Sequence, residues 1–307
     1  MNPEELKSRL KGVVVTVLTP FNDDYSIDFG ALHDNVQRLV EKGVHVFVAA
    51  GSVGEFSSMT AEENRDVVAT VVKAVNGRAP VLGGASHSGT HEAIKLARMA
   101  EAAGADGLLI VPPYYLKPSL EGLFLHYQMI AQAVSLPIAV YNNPGFSKVN
   151  ILPQQAQTLV ERVPQIISIK ETSGEIYQFY ETLRLLGSKI SVIMGREITA
   201  FFGLACGSPG YVSSLANLAP DLCLDLYNAF QDGDLKRANE VHAKIAPFNS
   251  LQAEALQKLA FPVMIPMIKD GMNMIGIKGG TVRPPMTPTD AGLREQMKSF
   301  MKEWGLL

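Results

Sequence analysis

The sequence predicts an α/β fold, a closed (β/α)8 barrel with additional C-terminal helices. Three observations carry this. Short apolar runs alternate with longer amphipathic runs through eight cycles. The short runs are apolar throughout rather than alternating, as expected of parallel strands buried on both faces. Helices pass into strands through glycine at Glu41-Lys42-Gly43, Ala103-Gly104-Ala105 and Cys206-Gly207-Ser208, where a left-handed residue ends a helix. Eight such units favour a closed barrel over an open doubly wound sheet. The open sheet would carry a glycine-rich dinucleotide turn after its first strand. Here that strand runs into Leu18-Thr19-Pro20-Phe21.

Taken in order, Gly12–Thr19 is a strand, followed by helical spacing over Asp28–Lys42. His45–Ala50 is a strand, and Ala61–Val75 a helix capped by Thr60. Pro80–Leu82 precedes a glycine turn, and the helix Glu92–Ala103 takes Thr90 as its cap. The pairs Gly107–Val111 with Leu120–Val134, and Pro137–Tyr141 with Pro153–Arg162, continue the pattern. Then come Gln165–Lys170 with Ile176–Leu186, Lys189–Met194 with Ile198–Ala205, and Pro209–Ser213 with Ala219–Phe230. Residues 1–231 thus make the barrel. Residues 232–307 read as a helical extension packed on it, with helices over Leu235–Ile245, Leu251–Met274 and Ala291–Trp304.

The bulk properties bound the function. The chain has 307 residues, 47% of them hydrophobic, enough for one large core. Charged residues make up 19% and the formal net charge is −3, with no basic run, so neither nucleic acid nor an anionic membrane is an expected partner. The N-terminus lacks an apolar signal core and no apolar stretch reaches membrane-span length, so the cytoplasm is the expected location. Cys206 and Cys223 stand in apolar helical stretches and read as reduced core thiols. His87 and His91 flank a turn without a third ligand, so no metal site is expected.

In such a barrel the chemistry lies at the C-terminal ends of the strands. Lys170 ends the apolar run Ile166-Ile167-Ser168-Ile169. Held in the barrel mouth, it is placed to be an amine that attacks a carbonyl; the bland alternative is a lysine paired with a carboxylate at a strand end. Tyr141 ends the neighbouring strand, about 4.8 Å away, and a phenol can move protons to and from a carbinolamine. The loop Gly51-Ser52-Val53-Gly54-Glu55 offers N–H groups and a hydroxyl that suit a carboxylate, with Glu55 read as a brace that accepts N–H bonds.

Taken together, Gly51-Ser52-Val53-Gly54-Glu55, Pro113-Tyr114-Tyr115, Tyr141-Asn142-Asn143-Pro144 and Lys170-Glu171-Thr172 resemble the dihydrodipicolinate synthase / N-acetylneuraminate lyase family of class I aldolases. The resemblance runs from Gly12 to Arg283. It implies Lys170 as the Schiff-base lysine, Tyr141 as the acid/base above it, Ser52 as a proton relay, and Tyr115 as a residue reaching in from a neighbouring subunit. It implies that Ser52 and Val53 N–H groups, beside Gly51, bind the carboxylate of a 2-oxo acid. The cofactor expectation is none, because the imine on Lys170 is the electron sink. The expected assembly is a homotetramer, a dimer of dimers.

Two positions depart from the synthase pattern. The synthases carry an arginine two residues after Pro144, where this chain has Phe146. Val53 stands where threonine is common. Thr172, Gly195, Glu197, Val212 and Ser214 complete the expected substrate-binding set around the mouth, and some of them resemble positions that contact polyol chains in the sialic-acid lyase branch. The leading expectation is therefore an aldolase or dehydratase of a sugar-derived 2-oxo-3-deoxy acid. The alternatives are condensation of pyruvate with aspartate semialdehyde, and a silent barrel that binds a 2-oxo acid without turnover.

Overall fold

A computed structural model describes the backbone of residues 1–259 and 263–307. The strands are β1 (Gly12–Thr16), β2 (Val46–Ala49), β3 (Val81–Gly84), β4 (Gly107–Ile110), β5 (Ile138–Asn142), β6 (Ile166–Glu171), β7 (Ser191–Met194) and β8 (Gly210–Ser213). Each pairs in parallel with the next, and β8 with β1, so the sheet closes into the expected barrel. The helices are α1 (Pro3–Arg9), α2 (Phe29–Glu41), α3 (Ala61–Val75), α4 (Thr90–Ala102), α5 (Leu120–Ala133), α6 (Pro144–Ser147) and α7 (Pro153–Arg162). They continue as α8 (Ile176–Leu186), α9 (Ala200–Ala205), α10 (Pro220–Gln231), α11 (Leu235–Leu259), α12 (Met264–Met274) and α13 (Ala291–Glu303).

Period-two alternation divides each strand between two cores. On β1, Val13 and Val15, with Val17 just after the strand, join the large cluster under the helices, while Val14 faces the barrel interior. There it meets Val46, Val48, Leu82, Leu109, Ala139, Ile193 and Val212. Leu6 of α1 and the following Leu10 belong to this interior cluster and are almost fully buried. The short polar N-terminal helix thus carries two leucines that plug the barrel floor, a role that its seven residues do not announce by periodicity.

Local chemistry sets the helix starts. Thr60 and Glu63 form a reciprocal capping box at α3. At α4 the expectation of a Thr90 cap is corrected: Gly89 is the cap residue and Thr90 is already helical. The Thr90 hydroxyl is engaged instead with His126 Nδ1 at 3.0 Å. The expected break before Leu251 is also absent, because α11 runs on through Pro247. The expected helix Leu251–Met274 crosses residues 260–262, which lie outside the described residues.

His126 is buried, its Nε2 has no partner among the described residues, and burial lowers its pKa to about 4. An unfolded chain takes that proton near pH 6.5. The stability tied to neutral His126 is therefore whole above pH 6.5 and drains as pH falls toward 4, by about 3 kcal/mol. Denaturant unfolding of His126→Gln across this range should show a shallower acid slope than the parent chain. Equal slopes would contradict the assignment.

Candidate active site

The site begins with a register shift. Ile138 pairs with Ile166, but Ala139 pairs with Ser168, so one residue of β6 bulges. Without the bulge Ile169 would stand opposite Tyr141. With it, Lys170 pairs with Tyr141 on one side and Ile193 on the other. Ile169 turns into the outer core, whereas Tyr141 and Ile193 face the interior. A single inserted residue thus decides which side chain of the run enters the mouth.

Lys170 is 6% exposed, and its Nζ lies 3.8 Å from the centroid of the Tyr141 ring. No carboxylate among the described residues forms an ion pair with it, which removes the bland reading of a strand-end salt bridge. Its neighbour Glu171 points the other way. Glu171 accepts from Asn142 Nδ2 at 2.7 Å, Ser173 N–H at 2.6 Å and Gln178 Nε2 at 3.2 Å. Asn142 also accepts from the Ile151 N–H at 2.9 Å. This buried network lies behind the strands and fixes the ends of β5 and β6. The Tyr141 hydroxyl accepts from Asn143 Nδ2 at 2.8 Å. Asn143 belongs to a motif quoted for its resemblance, yet nothing in the sequence marks it as the residue that orients the phenol.

Ser52 and Val53 sit half-buried on the turn after β2, between buried Gly51 and Gly54. The turn is closed by Glu55 N–H to the Ser52 carbonyl at 3.1 Å and by the Thr19 hydroxyl to the Gly54 carbonyl at 2.9 Å. The Ser52 and Val53 N–H groups donate to no described residue, which leaves them available to an anion. Glu55 is a brace, as expected, although its partners come from far along the chain. Its backbone is left-handed (φ 65°) and its carboxylate is buried. One oxygen meets Lys269 Nζ at 2.5 Å and the other accepts the Arg283 N–H at 3.1 Å. Lys269 also donates to the Thr281 carbonyl at 2.6 Å and lies 4.5 Å from the Phe21 ring centroid. Burial lowers the Lys269 pKa to about 8 while Glu55 opposes the shift, so the ammonium persists at neutral pH. Sequence reading missed Lys269, since one lysine in an apolar helix gives no local signal of a partner over 200 positions away.

The other expected site residues divide. Val212 lines the barrel interior. The Thr172 hydroxyl is buried without a partner among the described residues, above Gly195, where a Cβ would strike it. Gly195 and Thr172 also lace the mouth, through Gly195 N–H to the Glu171 carbonyl at 2.7 Å and Thr172 N–H to the Asn142 carbonyl at 2.9 Å. Glu197 is turned inward. Its carboxylate accepts from Ser213, from Ser214 Oγ at 3.2 Å and from Leu215 N–H at 3.3 Å, and burial pushes its pKa up. Ser214 and Glu197 thus hold one another. Phe146, on α6, is 56% exposed at the rim, and Lys148 Nζ donates to the Gly145 carbonyl at 3.0 Å. Tyr115 is 93% exposed with φ 77°, while its neighbour Tyr114 packs edge-on against Phe56.

Among the described residues no group of three or more His, Cys, Asp or Glu side chains is placed to hold a metal ion. No described helix is long and apolar enough to cross a membrane. Cys223 is buried and its thiol pKa is pushed up by that burial, as suits a core thiol; Cys206 is half-buried.

Comparison with known proteins agrees with this geometry. The model of the dihydrodipicolinate synthetase family matches residues 9–304. A 4-hydroxy-tetrahydrodipicolinate synthase of Geobacter metallireducens is 37% identical over 297 residues, covering 97% of this chain and 99% of the relative. One from Methanopyrus kandleri is 36% identical over 301 residues, covering 97% and 98%. The crystal structure of the Acinetobacter baumannii dihydrodipicolinate synthase complexed with pyruvate superposes with a TM-score of 0.89 at 31% identity, covering 97% of this chain and 100% of that one. With a buried lysine at the mouth of an eight-stranded barrel and a match over nearly its whole length, the chain is an enzyme of the Schiff-base lyase and synthase type and belongs to the dihydrodipicolinate synthetase family.

Proposed function

We propose that this enzyme binds pyruvate as an imine on Lys170 and condenses it with an aldehyde, aspartate semialdehyde being the favoured one. The observation that carries the first half is the buried Lys170 against Tyr141, without an ion-pair partner among the described residues. The Lys170 amine adds to the pyruvate carbonyl, and water leaves after proton transfers for which Tyr141 and Ser52 are the proposed relay. The protonated imine draws electrons from C3, which loses a proton and attacks the aldehyde carbon. Hydrolysis or transimination then frees the lysine. The pyruvate carboxylate would sit on the Ser52 and Val53 N–H groups.

The names of the relatives favour this condensation. They reverse the order in which the residues alone rank the readings, where the sugar-acid lyase leads. That second reading keeps one specific support. Phe146 offers no cation to the carboxylate of an aspartate semialdehyde, and Lys148 is engaged with its own loop. A coupled assay separates the two. Efficient turnover with aspartate semialdehyde and none with 2-oxo-3-deoxy sugar acids supports condensation, and the opposite result supports the lyase. If condensation holds, Phe146→Arg should lower the KM for the semialdehyde about tenfold or more by supplying a charge-assisted pair. An unchanged KM would mean that the aldehyde's carboxylate is bound elsewhere.

The exposed Tyr115 and Leu116, 93% and 76% accessible in the single chain, support an oligomer in which this loop meets a second subunit. The ties of Lys269 and Arg283 to Glu55 support reading residues 232–307 as an extension of the barrel rather than a separate domain.

A further inference from the structure

We infer that Lys269 is a positioning residue for substrate: through Glu55 it sets the direction of the Ser52 and Val53 N–H groups that receive the carboxylate. The inference rests on the pyruvate reading above and adds a residue of the C-terminal extension to it.

Three features carry it. First, Glu55 closes the Gly51–Glu55 turn in a left-handed conformation that a residue with a side chain rarely adopts. A strained residue at the end of a ligand loop needs an outside constraint to stay there. Its own side chain supplies one, because the carboxylate is buried and has its charged partner in Lys269, at 2.5 Å. Second, Lys269 is itself held from three sides: by Glu55, by the Thr281 carbonyl at 2.6 Å, and by the Phe21 ring face. Phe21 is shared, because Arg283 stacks on it at 4.3 Å while its guanidinium pairs with Glu63 at the start of α3. The stretch Thr281–Arg283 thus straps α12 to the elements on either side of the substrate turn, with a bridge from Thr281 to Phe21. Third, a buried ion pair is a weak device for stability, since well-packed apolar residues often do as well, but it fixes geometry. Lys269 and Glu55 are 1% and 0% exposed, so the pair is not a solubility feature.

The test compares Lys269→Met with the double variant Lys269→Met/Glu55→Gln. The single variant leaves a buried carboxylate without its cation; the double variant removes both charges at nearly constant volume. Pyruvate is titrated in the presence of borohydride, and adduct on Lys170 is followed by mass spectrometry alongside thermal unfolding. We expect both variants to need about tenfold more pyruvate for half-maximal trapping, as when oriented donors to a carboxylate are lost. Trapping at saturating pyruvate should stay within about twofold of the parent rate. The double variant should recover melting temperature without recovering pyruvate affinity, which a purely structural role would not allow. A folded double variant with parental half-saturation overturns the inference. A parent chain that forms no adduct overturns the imine reading instead.

Discussion

Lys170→Ala should abolish turnover while leaving the protein folded. A loss on the order of 10⁴-fold or more is expected, because the side chain supplies the bond through which the reaction runs. Lys170→Arg should fail equally, since a guanidinium cannot form the imine and stays charged. Stability should move the other way or not at all. Lys170 is nearly fully buried with no ion-pair partner among the described residues, so removing its polar head relieves a desolvation cost. This combination separates catalysis from architecture. A lysine kept for packing on Tyr141 would give a less stable variant with activity in proportion to the folded fraction. Steady-state rates and thermal melts on the same preparations decide between them.

Tyr141→Phe should reduce kcat by about 10²–10⁴-fold, the range for a lost acid/base. The ring remains, so the 3.8 Å contact with Lys170 Nζ survives and the amine keeps its place. Only the hydroxyl goes, and with it the acceptor for Asn143 Nδ2. That unpaired donor should lower stability by about 1–3 kcal/mol. Because the amine is untouched, imine formation should slow without being prevented: borohydride should trap the same adduct, later. Parental kcat in Tyr141→Phe would remove the phenol from the mechanism and leave proton transfer to Ser52 or water.

Much of the fold was legible because eight wholly apolar runs, each followed by an amphipathic helix, are buried on both faces when the sheet closes into a barrel with the helices outside. Thr60 announced the start of α3 by local hydrogen bonding alone, whereas Asp28, read as the first residue of its helix, is the cap that precedes α2. The misses are places where partners are remote. Thr90 looks like a cap, but the nearby His126 claims its hydroxyl. Ile245 and Leu251 read as the end and start of separate helices, and α11 runs through both. Leu6 and Leu10 are ordinary leucines until the barrel floor gives them a socket. At the site, Lys170 and Tyr141 were readable because they end apolar strands. The bulge that turns Lys170 inward was not, since it depends on register with β5. Glu55 was readable as a brace from its own turn, whereas Lys269 and Arg283 enter only through the packing of the extension. Glu197 and Ser214 look like polar groups of the mouth, yet the Ser214 hydroxyl donates to the Glu197 carboxylate. The clearest limit is substrate choice. Phe146 argued for a sugar acid, whereas the relatives are named as synthases.

The central claim is the covalent bond to Lys170. Incubation with pyruvate and borohydride, followed by peptide mapping by mass spectrometry, tests it directly. One reduced pyruvate adduct is expected, on the peptide carrying Lys170, absent without pyruvate and absent from Lys170→Ala. A folded protein that gains no adduct, or gains it on another lysine, would contradict the account.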